Sequence, residues 1–82
     1  MAEATKAGRS DQHGPYEITE AARARLRTSP YATVRRVSCE YADGVLFLRG
    51  PVPSFYHKQL AQETVSRLRG VSEVINETVV VA

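Results

Sequence analysis

The chain has 82 residues, 43% of them hydrophobic and 24% charged, enough for one small domain with a single core and too few for two. Eleven Lys and Arg against nine Asp and Glu leave +2, too weak a field to name a nucleic acid or a membrane as partner, and one cysteine, Cys39, excludes a disulfide scaffold and fits a reducing compartment. No apolar run approaches the ~18 to 20 residues of a transmembrane helix, the longest being Val45 to Leu48.

Residues 1–14 mix small, polar and charged side chains without periodicity, and bury too little apolar surface to offset the entropy of ordering. They read as a flexible tail, with the fold in residues 15–82. The opening also lacks the basic head, apolar block and cleavage site of a secretory signal. A cytoplasmic placement is therefore expected for the chain as it stands, and a periplasmic or envelope one if it is cut from a longer precursor.

Pro15 suits the first turn of a helix, where its missing N–H has no intrahelical acceptor. Ile18, Ala22 and Leu26 recur every four residues on one face, Glu20, Arg23 and Arg27 lie on the other, and Ser29-Pro30 stops the helix. Val37, Cys39 and Tyr41 then alternate with Arg36, Ser38 and Glu40, the period of a half-buried strand. Asp43-Gly44 fits a two-residue type I′ turn, and Val45 to Leu48 forms the return strand. That turn sets Tyr41 opposite Leu46 and Cys39 opposite Leu48 on a core face that includes Val37. The other face carries Glu40 opposite Phe47 and Ser38 opposite Arg49.

Gly50-Pro51-Val52-Pro53 is expected to break the sheet, and Ser54 to cap a second helix. Its apolar stripe is His57, Ala61, Val65 and Leu68, with Leu60 and Thr64 beside it, and Gly70 terminates it just past Arg69. Val71, Val74, Ile75 and Val79-Val80-Val81 read as a third strand reached by a crossover. The fold class is α+β, a two-layer αββαβ sandwich with two helices on one face of a three-stranded mixed sheet. Strand order stays open, because the crossover allows the third strand beside either partner.

Several of these residues carry a resemblance. Leu26 precedes the Pro30-Tyr31 break, Val37 opens the hairpin, and Gly44-Val45 leads to Leu48-Arg49-Gly50-Pro51-Val52. Ser54, Ala61, Val65 and Leu68 follow, and Gly70-Val71 runs to Val74 and Asn76. Over about residues 16 to 81 this pattern resembles the BON domain, a small bacterial module named after osmotically inducible and nodulation proteins. The resemblance implies an αββαβ sandwich without a known catalytic centre. It also implies an envelope setting: phospholipid binding, protection against osmotic stress, and attachment or oligomerisation beside other domains. The chain differs from the common setting in having one copy and no export signal.

Arg23, Arg25, Arg27, Arg35 and Arg36 fall within fourteen residues without an acid among them, the strongest local field in the chain. If they converge, they form a patch for the phosphates of an anionic phospholipid surface, each contributing about 1 kcal/mol near the leaflet. The competing reading is a solvated helix face partly neutralised by Glu20. Val45, Phe47, Val79 and Val81 are expected on the uncovered side of the sheet, a surface for a second copy or another protein unless residues 1–14 fold over it. Phe55 and Tyr56 either wedge into a membrane interface or, the reading preferred here, pack at the helix entrance. Asp43, Gly44, Gly50 and Gly70 are structural turns. His57 reads as a hydrogen-bonded structural residue, and His13, His57 and Cys39 never reach metal-ligand spacing, so neither metal nor cofactor is expected.

No catalytic constellation stands out, and the prolines of Gly50 to Pro53 remove the amide donors that a phosphate loop needs. Neither the aromatic platform nor the glycine clamp of the common RNA modules is present, so no specific nucleic acid is expected. The chain reads as a non-enzymatic module. Its primary function is attachment to a phospholipid surface, the alternative protein interaction or homo-oligomerisation through the outer sheet face.

Overall fold

The computed structural model describes residues 14–81, so the expected tail lies outside the described residues apart from Gly14. Helix α1 spans Pro15–Arg27. The N–H of Gly14 donates to the Glu17 carboxylate at 3.3 Å, which holds the acid at the positive end of the helix. Ile18, Ala22 and Leu26 are buried on one stripe, as their spacing predicts. After the Ser29-Pro30 break comes a single turn, α2, at Ala32–Arg35. Four residues are too few to show a helical period in sequence. The turn exists because it places Val34 wholly inside the core.

Strands β1, Ser38–Ala42, and β2, Val45–Val52, form the hairpin in the register read from the sequence, Tyr41 against Leu46 and Cys39 against Leu48. Asp43 and Gly44 take φ of 50° and 84°, the left-handed pair that a type I′ turn requires. The carbonyl of Gly44 also accepts the Ser72 N–H at 2.7 Å and the Ser72 hydroxyl at 2.9 Å, tying the hairpin tip to the approach of the last strand.

Two expectations are corrected here. Gly50 to Val52 do not break the sheet but continue β2, with Gly50 opposite Thr78 and Val52 opposite Val80. Gly50 bends the strand at φ 133°. Pro51 is tolerated because Val81 donates to the Val52 carbonyl at 2.8 Å, so the alternating Pro51 turns its backbone to the side where β1 pairs no residue beyond Ser38. The second helix, α3, spans Phe55–Val65 and does not reach Arg69. Its end is set by Ser66, whose hydroxyl donates back to the Glu63 carbonyl at 3.1 Å, and Leu68 packs against the core from the following turn. Gly70, at φ 84°, is a turn residue as expected, aiming the chain into β3, Glu73–Val80.

β3 lies parallel to β2, giving the order β1-β2-β3 and a mixed sheet. Leu46, Leu48 and Val52 of the central strand meet Ala22, Leu26, Val34, Ala61 and Val65 in one core. Full burial of such aliphatic side chains stabilises by about 1.5–3 kcal/mol each. Both long helices cover that face, and its reverse carries no element of the described residues.

Candidate functional site

The five arginines do not form one patch. Helix α1 touches both β1 and α3, and residues two apart on a helix lie about 200° apart around its axis, so its basic side chains leave on different flanks. Arg23 sits on the β1 side, 3.9 Å from Glu20 and beside Cys39. Arg25 leaves on the other flank and donates to the Thr64 carbonyl at 3.5 Å near the end of α3. Arg27 is exposed. Arg35 folds back to the Ser29 carbonyl at 2.8 Å. Arg36 lines an open hollow of about 450 Å³ with Thr33, Pro51, Val52, Pro53 and Val81.

Where the Ser29-Pro30 break meets the start of α3 lies an aromatic cluster. Tyr31, Tyr56 and His57 meet edge to face, with ring centroids 5.1 to 6.2 Å apart, and the two tyrosine hydroxyls stand 3.4 Å apart. That hydrogen bond raises the Tyr56 pKa above the ordinary tyrosine value, with the charge of Tyr31 adding to it. The Ser54 hydroxyl accepts the His57 N–H at 3.3 Å as the expected helix cap and lies 2.9 Å from His57 Nδ1, so the ring is held by its own cap residue. Of the two aromatics expected to pack at the helix entrance, Tyr56 does so edge to face against Tyr31 and His57 while staying 60% exposed, and Phe55 is 74% exposed. Both stand in the first turn of α3, ahead of the buried Ala61.

On the uncovered sheet face the register sets Phe47 beside Ile75 and Pro51 beside Val79. Val45, Phe47 and Ile75 are half-buried, Val79 is 60% exposed, and Val81 is exposed as well. Of the four sequence candidates, Val45, Phe47 and Val79 alternate onto this side of β2 and β3, while Val81 lies just past β3 and lines the hollow with Arg36. Between the two apolar groups runs a charged band. Arg49 donates to Glu40 at 2.7 Å and to Glu77 at 2.8 Å while its guanidinium lies 5.5 Å from the Phe47 ring centre. The two carboxylates raise its pKa further. Glu40 and Arg49 were legible as neighbours from the hairpin. Glu77 was not, because its place depends on the parallel register of β3.

A polar seam joins α3 to β3. Asn76 Nδ2 donates to the Lys58 carbonyl at 2.8 Å and to Gln62 Oε1 at 3.3 Å, while its Oδ1 accepts the Thr78 N–H at 3.2 Å and the Thr78 hydroxyl at 2.6 Å. The Lys58 ammonium donates to the Thr78 carbonyl. Because Val81 donates towards β2, alternation turns the Thr78 peptide to the outer edge of the sheet, and this network occupies it. The sequence signal was an amide among β-branched residues, in phase with Val74 and Val80 on the core side.

Cys39 is half-buried, its thiol donating to the Thr19 carbonyl at 3.8 Å; burial raises its pKa, and the Arg23 charge works against the shift. Among the described residues no three His, Cys, Asp or Glu side chains gather as metal ligands.

The sequence model of one protein family, described as BON domain, matches residues 17–82. No curated protein matches the chain. With two helices on one side of a three-stranded mixed sheet and a match across most of its length, the chain belongs to the BON domain family, non-catalytic binding modules known for phospholipid and membrane-related binding.

Proposed function

We propose that the domain is a non-enzymatic attachment module that adsorbs to anionic phospholipid surfaces through the end built from Tyr31, α2 and the start of α3. The observation that carries this reading is the exposure of Phe55 and Tyr56 on the same end as Arg35 and Arg36. Aromatic rings seat at headgroup depth, and basic residues beside them meet the phosphates. Charge segregation supports the same orientation. The helices and their connections carry most of the basic residues against Glu17, Glu20 and Glu63, whereas the sheet face carries Arg49 against Glu40, Glu73 and Glu77.

No helix of the described residues is long and apolar enough to cross a membrane, and the reading is one of adsorption. Two arginines at about 1 kcal/mol each and one inserted aromatic ring at about 2 kcal/mol give weak, salt-sensitive binding. Arg23, Arg25 and Arg27 add longer-range attraction. Co-sedimentation with phosphatidylglycerol vesicles at low salt, release at high salt and indifference to phosphatidylcholine vesicles are the expected results. Phe55→Ser combined with Arg36→Glu lowers the bound fraction about tenfold or more. Equal binding to neutral vesicles, or none to anionic ones, overturns the reading.

A further inference from the structure

We propose that the uncovered face of the sheet docks one amphipathic helix of a partner protein, with lysine or arginine flanking the helix's apolar stripe. The face offers Val45, Phe47 and Ile75 at one end and Val79 beside Pro51 at the other, all on the side away from α1 and α3. Its dimensions accommodate a helix. Three strands spaced about 4.8 Å apart make a floor roughly 14 Å wide, and eight residues at about 3.3 Å make it roughly 26 Å long. A helix about 10–12 Å across and some 17 residues long fills that floor.

Charge selects the kind of helix. Arg49 is held between Glu40 and Glu77, so it neutralises only one of them, and Glu73 adds a further acid at the start of β3. The face is net negative, its charged band crossing between the two apolar groups with Glu40 on one edge strand and Glu73 and Glu77 on the other, and it complements a basic flank. Two copies set face to face bring these acids together, which disfavours a second copy as the occupant. Residues 1–13 are a poor cover, since Met1 and three alanines are their only apolar side chains and Lys6 and Arg9 are matched by Glu3 and Asp11.

The test places the photoreactive residue p-benzoylphenylalanine at position 79 of the full chain in its own cells and sequences the cross-linked segment. Val79 is exposed enough to be replaced without disturbing the core. The expected product is a segment of another protein with apolar residues at three- and four-residue spacing flanked by Lys or Arg. A synthetic peptide of that segment then binds the unmodified chain, with at least tenfold weaker affinity for Val79→Asp and at least threefold weaker for Glu73→Lys. Circular dichroism confirms that both variants are folded. Cross-linking to a second copy or to residues 1–13, to an acidic or extended segment, or to nothing overturns the proposal, as does a peptide whose affinity ignores Glu73→Lys.

Discussion

Gly44 carries two demands at once. Its φ of 84° favours glycine, and a Cβ there would stand 2.8 Å from the Ser72 hydroxyl that bonds to its carbonyl. Gly44→Ala is expected to destabilise by about 1–2 kcal/mol, measured by urea unfolding, and adding Ser72→Ala recovers only the part due to the clash, leaving the backbone strain. Leu48 lies at the centre of β2 with no exposed surface; Leu48→Ala should cost about 2–5 kcal/mol in the same assay, enough to unfold much of so small a domain. Cys39 gives a pH-dependent counterpart. Burial raises its pKa, so the native state favours the thiol. That contribution is fully present below the ordinary cysteine pKa and is lost as pH rises through the higher folded value. Alkylation by iodoacetamide is therefore expected to be slower in the native protein than in urea, and a native rate equal to the unfolded one contradicts the burial.

Residues of this kind were legible in the sequence where a local rule decides them: Asp43-Gly44 fixed the hairpin register to the residue, and the four-residue spacing of Ile18, Ala22 and Leu26 fixed the buried stripe of α1. Elements whose limits depend on distant partners were not. β2 runs through Gly50-Pro51 because β3 pairs on one side and β1 has ended on the other, a fact absent from any local window. The early end of α3 rests on the Ser66 hydroxyl competing for the Glu63 carbonyl, and the separation of Arg23 from Arg25 rests on α1 being wedged between β1 and α3. Phe55 and Tyr56 were named with both an exposed and a packed reading, because sequence cannot say which helix end is left uncovered. At this scale Asn76 is the joint between α3 and β3. Asn76→Ala leaves the Thr78 N–H and the Lys58 carbonyl without that partner, and a loss of about 1–3 kcal/mol is expected, with faster hydrogen exchange at the Thr78 amide as its local signature.

Across the whole molecule, the basic helical side and the acidic sheet side turn the domain into an oriented object, so one contact leaves the other side accessible. The two contacts are separable on that basis: Phe55→Ser with Arg36→Glu should lower vesicle binding while leaving the position 79 cross-link intact, and Val79→Asp should weaken binding of the peptide while leaving vesicle binding intact. Loss of both by either substitution would mean one shared surface. The sheet also has a history. Hairpin partners lie 3 to 11 residues apart, from Ala42 with Val45 to Ser38 with Arg49, whereas every β2–β3 pair spans 28, as from Val45 to Glu73. Closing the longer loop costs more chain entropy before any contact rewards it, so β3 docks late. Val45 and Phe47 are in place once the ribbon forms, but Ile75 and Val79 arrive only with that final closure. A half-folded or truncated chain therefore offers a recipient just part of its grip, and recognition through this surface would double as proof-reading of a finished fold.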